Sequence, residues 1–365
     1  MSDSRQVHRA IKHAVKQRYP EEPRGNLARH LETLAGMVTG IVLGKSCQLP
    51  KMASKIPGEI HPDSQVKQMS RWVQNETITF HLYFLPFVQP LLINLAKARP
   101  LVLIMDGSAV ARSCVTLMVS LIYAHRAIPI AWLVIEGTKG HFPAETHVAR
   151  LREVEALIPE TARVVLLGDG EFDSPELQAE AEGYGWDYVC RTAKNIQISL
   201  DDEWLSLEAL NVERGKRAFR KHVLFTEAAY GPVMVIAWWE AKYDAPIYLV
   251  SNLHSVQAAC HGYRQRAHIE TFFSDQKSRG FQLDKSHLSD PTRVMRLMLA
   301  ACFAYLWASY LGVVAHQEAW TPKIHRGHRC DLSLFQLGLR LLDHLLKNDL
   351  ALPGNFTLQP ESVWW

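Results

Sequence analysis

The run LVLIMDGS, Leu101–Ser108, sets five apolar residues in a row and ends them on Asp106-Gly107. A short continuous apolar run is the mark of a strand buried on both faces, as in α/β sheets covered by helices. The pattern returns in VVLLGDGEFDS, Val164–Ser174, where the apolar residues end on Asp169-Gly170. In open α/β sheets, ligands sit outside the carboxyl ends of the strands. Adjacent and parallel, the two runs would set Asp106 and Asp169 side by side at one rim. Either Asp-Gly taken singly reads as a turn. The repeat, joined to a third carboxylate below, favours a site.

Working outward, Cys114–Tyr123 and Ile128–Glu136 read as further strands with a turn at His125–Ala127. Thr146–Ile158 reads as a helix closed by Pro159, Pro175–Tyr184 as another, and Trp186–Thr192 as a strand. Lys194–Asp244 alternates charged and apolar residues, includes Arg214-Gly-Lys-Arg217 and the strand-like Val233–Trp239, and reads as a β-rich insertion. Pro246–Asn252 returns as a strand of the main sheet. Upstream, residues 1–95 read as all-helical: Gln6–Arg18, Leu27–Leu43, Leu49–Lys55, Ser64–Asn75, and Thr77–Lys97 interrupted at Pro86 and Pro90. The short helix, turn, helix over Leu49–Asn75 carries Lys51, Lys55, Lys67 and Arg71 and resembles a DNA-binding helical module.

Downstream, Ser255–Lys277 reads as one helix within which Tyr263, Arg266, Glu270 and Lys277 recur. At about 100° per residue, the last three fall near 300°, 340° and 320° from Tyr263, so all four share one narrow stripe. One carboxylate, two cations and a phenol make a poor core face. They suit a face that holds a metal and a phosphate chain, although charged i,i+4 pairs also occur on ordinary solvated helices. Leu297–Ala315 is uncharged and nearly long enough to span a bilayer, and reads as a helix buried in a large α/β domain. Leu332–Leu346 is a final amphipathic helix, and Pro353–Trp365 a tail that is poorly ordered or docked by its tryptophans.

The 365 residues allow two or three domains and a sizeable core. Net charge is +3, with twelve Lys/Arg against seven Asp/Glu in residues 1–95, which permits a polyanionic partner without demanding one. Six scattered cysteines with no Cys-x2-Cys pair speak against a zinc ribbon or redox motif and fit a reducing cytoplasm. His325, His328 and Cys330 lack a matching second ligand pair. The polar N-terminus has no apolar signal region.

Three carboxylates with no thiolate or histidine partner point to hard ions, Mg²⁺ or Mn²⁺ in its place. Two such ions can deprotonate a water or hydroxyl and steady the leaving oxygen of an in-line phosphoryl transfer. On this chemistry Asp106 would be shared by both ions, and Asp169 and Glu270 would each hold one. Arg266 and Lys277 neutralise DNA phosphates, and Tyr263 donates to a phosphate oxygen.

Asp106, Asp169 and Glu270, with the Tyr263-Arg266-Glu270-Lys277 signature, resemble the DDE transposases of bacterial insertion sequences, and among them the "insertion sequence four" family. The likeness runs from about Leu101 to Ala315 and extends to LLGDGEFDS, GWDYVCR, RCDLSLFQLGLRLL and, in the helical region, SRWVQN at Ser70–Asn75. It implies an α/β, RNase H-like catalytic core with a β-rich insertion, preceded by an all-helical DNA-binding domain. Residues 1–98 would be that domain, 99–193 and 246–320 the two parts of the core, 194–245 the insertion and 321–365 a helical tail. It also implies binding of double-stranded DNA at terminal inverted repeats, a homodimer in the synaptic complex, cleavage of donor DNA and strand transfer. The chain would work in the bacterial cytoplasm on the nucleoid, with no membrane partner. Arg191 matches an arginine that meets DNA near the site in relatives. Where relatives carry a tryptophan that stacks on a flipped base during hairpin formation, this chain has Ile247, and Trp238, Trp239 or Tyr248 are the candidate substitutes. The departure leaves a hairpin or another excision route open. A catalytically silent end-binding regulator is the alternative, against which the intact carboxylate set argues; a related metal nuclease on another nucleic acid is a third.

Overall fold

A computed structural model describes residues 3–138, 142–200, 203–326, 331–354 and 356. Ten strands follow in chain order: β1 (Leu101–Ala111), β2 (Cys114–Tyr123), β3 (Arg126–Glu136), β4 (Val164–Gly168), β5 (Asp187–Thr192), β6 (Gln197–Leu200), β7 (Glu203–Ser206), β8 (Arg217–Phe225), β9 (Tyr230–Trp238) and β10 (Ile247–Ser251). They form one sheet in the order β3-β2-β1-β4-β5-β10-β9-β8-β6-β7. β4 runs parallel to β1 and to β5, and the other pairs are antiparallel. The charged, alternating stretch after β5 therefore continues the main sheet through β10.

β1 pairs with β4 from Leu101↔Val164 to Ile104↔Leu167. It then runs on alone with β2, so that Asp106 stands opposite Met118 inside the strand. The sequence reading ended this strand before Asp106. The hairpin partner β2 keeps supplying ladder bonds as far as Ala111↔Cys114, so Asp106-Gly107 makes no turn. At the second Asp-Gly the strand does stop: Phe172 N–H donates to Asp169 O at 3.0 Å and closes a turn. Gly168 permits it, because a Cβ there would lie 2.5 Å from Phe172 Cβ.

Six helices precede the sheet: α1 (Asp3–Lys16), α2 (Gly25–Gly44), α3 (Leu49–Ala53), α4 (Pro62–Gln74), α5 (Phe80–Tyr83) and α6 (Leu85–Ala98). Pro86 sits in the first turn of α6, where its missing N–H does no harm, and Pro90 lies inside it. α7 (Ala144–Glu155), α8 (Pro175–Gly183), α9 (Val256–Gln265), α10 (His268–Gln276), α11 (Pro291–Gln317), α12 (Thr321–Ile324) and α13 (Leu334–Lys347) follow. α11 is buried from Leu297 to Ala315 and touches α2, α4, α13 and β3, so it joins the helical N-terminal region to the sheet. It is long and apolar enough to cross a membrane, and its most apolar window is wholly buried inside the protein. Of the tail, Phe356 packs against Phe87, Phe303 and Tyr310; residues 357–365, with their tryptophans, lie outside the described residues, as do His328 and Cys330.

α11 and α13 meet at glycines. A Cβ on Gly338 would stand 1.8 Å from Ala308 O, and one on Gly312 2.0 Å from Leu334 O. Main chain cannot swing aside, so Gly338→Ala must push the helices apart. The expected loss is about 3 kcal/mol, the upper range of overpacking in a core, and a lower denaturant midpoint measures it. An unchanged midpoint would contradict this crossing.

Candidate active site

Asp106 lies on β1 and Asp169 just past the end of β4, and one guanidinium reaches both. Asp106 is buried and its Oδ1 accepts the Gly107 N–H at 2.8 Å. Asp169 Oδ1 accepts the Glu171 N–H at 3.0 Å.

Glu270 comes to the site from α10. The helix read as one piece is two, α9 and α10, joined through Arg266 and Ala267. There Arg266 N–H donates to Tyr263 O and Ile269 N–H to Arg266 O, i to i−3 bonds that tighten the turn without any Pro or Gly. The tightened turn carries Arg266. Its Nη2 donates to Asp106 Oδ2 at 3.0 Å and to Asp169 Oδ2 at 3.1 Å, while Nη1 donates to Glu270 Oε1 at 2.7 Å. One guanidinium thus holds all three carboxylates, which are far apart in sequence. Their exposure is graded: the side chains of Asp106, Asp169 and Glu270 are 9%, 32% and 63% exposed.

The charges perturb each other. Burial pushes the Asp106 carboxyl up to about 6; Arg266 and the Gly107 N–H pull it down, and Asp169 and Glu270 raise it. Burial alone would lower the Arg266 pKa, but the surrounding carboxylates lift it above its ordinary value. Burial lowers Lys277, against the pull of Asp284 and Asp106. Lys277 Nζ donates to Ser108 Oγ at 2.6 Å, which ties the end of α10 to β1. Burial raises the Tyr263 phenol to about 12, while Arg266 and Arg191 draw it down. The stripe of Tyr263, Arg266, Glu270 and Lys277 therefore faces the two aspartates, and exposed Arg191 on β5 borders it.

Other expected residues lie elsewhere. Lys51 on α3, Lys55 just after it, and Lys67 and Arg71 on α4 are exposed. Trp238 is 5% exposed, with the guanidiniums of Arg217 and Arg264 over its ring at 5.4 and 4.8 Å. Trp239 Nε1 donates to Tyr243 O at 3.0 Å. Tyr248 is 7% exposed and stands between Thr192 and Ala237 in the sheet. Sequence reading passed over Ser108, Glu171 and His147. For the first two the signal was proximity, each two residues beyond an Asp of the site; for His147 the sequence held none.

As placed, no three His, Cys, Asp or Glu side chains among the described residues are close enough to hold an ion. Arg266 stands between the carboxylates. The donor set is nonetheless all oxygen and already gathered round one cation, which fits a hard divalent ion.

Residues 100–307 match the family model described as "Transposase DDE domain". No curated protein matches the chain. Among solved structures, a piggyBac transposase synaptic complex with hairpin DNA is similar at 11% identity and a TM-score of 0.47, over 95% of this chain and 80% of that one. Human ENDOV is similar at 15% identity and a TM-score of 0.25, over 61% of this chain and 96% of that one. Both likenesses are too distant to bear on function. The family match spans more than half of the chain and includes Asp106, Asp169 and Glu270, and on that ground the protein belongs to the transposase DDE domain family.

Proposed function

We propose that this DDE transposase excises and inserts an insertion sequence, with Asp106, Asp169 and Glu270 holding two Mg²⁺ ions, or Mn²⁺, at the ends of double-stranded DNA. The observation that carries the reading is the single Arg266 guanidinium shared by all three carboxylates. Side chains gathered about one cation are preorganised for another. The strand order β3-β2-β1-β4-β5 supports an RNase H-like core, and helices α1–α6 are the proposed DNA-binding unit. Membership of the "insertion sequence four" group, action as a homodimer and a hairpin intermediate belong to the same proposal.

When bound, the divalent ions would activate the attacking water or hydroxyl and stabilise the leaving oxygen. The chain's own residues do the rest. Asp106, on a continuous strand, fixes one side of the site. Glu270, exposed on a helix, closes it from the other. Arg266 gives up the carboxylates and turns to the DNA phosphate, with Lys277 beside it. Tyr263, a neutral phenol near pH 7, donates to a phosphate oxygen.

The test is incubation of the purified chain with DNA bearing the inverted repeats that flank its gene, in Mg²⁺ or Mn²⁺. Nicks should appear at the repeat ends. A parent protein that binds these ends and cuts nothing in either metal would favour the silent regulator. On the helical unit, Lys67→Gln with Arg71→Gln should weaken binding to all DNA sequences. It should also flatten the salt dependence by about 0.9 per lost phosphate contact. Fluorescence anisotropy across a salt series reads this, and an unchanged slope removes α4 from the interface.

A further inference from the structure

His147, on α7, is buried with its side chain 2% exposed, and the side chain of its partner Glu171 is 13% exposed. His147 Nε2 lies 3.3 Å from Glu171 Oε1, which also accepts the Phe142 N–H at 2.6 Å. The imidazole packs against Phe172, tilted by 49° with 4.6 Å between ring centres. Its other nitrogen, Nδ1, is buried with no hydrogen-bond partner. An ionised carboxylate only accepts, so the shared proton sits on Nε2. A buried polar pair with one stranded nitrogen is a poor stability device, since well-packed apolar side chains of the same volume are often as stable or more so.

What the pair does fix is geometry. Glu171 N–H donates to Asp169 Oδ1, and Phe172 N–H to Asp169 O, each at 3.0 Å. With the Glu171 side chain tied to α7 and to Phe142, the turn is held at both its main chain and its carboxylate. Oδ1 is engaged, and Oδ2 is the atom left to face Arg266. We propose that His147 and Glu171 are positioning residues that clamp the Asp169 turn to α7 and so aim its carboxylate at the divalent cation. This rests on the reading of Asp106, Asp169 and Glu270 as the metal site.

The test measures Mn²⁺ affinity by calorimetry on the full DNA-free chain, with the unfolding midpoint of each variant alongside. His147→Phe keeps an aromatic ring against Phe172 and removes the hydrogen bond to Glu171. Glu171→Ala removes the acceptor, whereas Glu171→Gln keeps an oxygen for Phe142 N–H and for His147. Residues behind a ligand typically govern 10–100-fold in metal affinity, so H147F and E171A should bind Mn²⁺ about that much more weakly. E171Q should stay near the parent, and H147F should unfold no earlier than the parent. Parent-like affinity in both H147F and E171A overturns the clamp. So does a loss in E171Q that tracks a fall in midpoint, which marks the pair as merely structural. If Asp106→Asn binds Mn²⁺ as the parent does, the metal reading itself has failed and the clamp fails with it.

Discussion

Asp106→Asn should abolish strand cleavage at the element ends and, in the same protein, raise stability. The loss should be about 10³-fold or more, since a Lewis-acid ion supplies several kcal/mol and each 1.4 kcal/mol is tenfold in rate. The gain follows from linkage. The folded pKa of Asp106, about 6, lies above its ordinary value of 3.8. The folded protein therefore binds the extra proton, and stability falls as pH rises from about 4 through about 6. Above that range the ionised carboxylate destabilises the ion-free protein by about 2–3 kcal/mol at most. Asparagine mimics the protonated form. With chelator present, D106N should outlast the parent in denaturant at pH 8 and match it at pH 4. Active cleavage by D106N would remove Asp106 from the chemistry. An unchanged pH 8 midpoint would mean that its burial is not a strain on the fold.

Arg266→Gln should push metal binding and catalysis in opposite directions. In the ion-free protein Arg266 compensates three negative charges, and removing one member of a buried pair typically costs about 3–5 kcal/mol. Glu270 is mostly exposed and Asp169 about a third exposed, so the lower figure applies, and less at pH 5, where Asp106 takes up its proton. Divalent cations no longer compete with the guanidinium, however. Hydrogen bonds to charged groups are worth about 1.5–3 kcal/mol, so Mn²⁺ should bind R266Q about tenfold or more tightly than the parent. Cleavage should still fall, because the charge that meets the phosphate is gone. Calorimetry and an end-cleavage assay on the same preparation separate these effects. Weaker Mn²⁺ binding by R266Q would show that the arginine supports the metal site instead of occupying it.

Much of this was legible in the sequence because the relevant patterns are local. The apolar runs before Asp106 and Asp169 marked two central strands. The spacing of Tyr263, Arg266, Glu270 and Lys277 placed four side chains on one face although the helix is broken between them. What was not legible depends on partners distant in sequence. Asp106-Gly107 looked like a turn, and only the pairing of β1 with β2 keeps it extended. Trp238 is one of three candidate stacking aromatics in the sequence, and only the fold brings Arg217 and Arg264 over its ring. His147 carried no signal at all, since its meaning comes from Glu171, which the folded turn places against α7.

The most direct measurement is anomalous scattering from Mn²⁺ in crystals of the chain bound to a DNA end. Peaks are expected at coordination distance from oxygens of Asp106, Asp169 and Glu270, with the Arg266 guanidinium moved off the carboxylates and onto a phosphate. Manganese found elsewhere, with Arg266 still hydrogen-bonded to all three carboxylates on cleavable DNA, would contradict it.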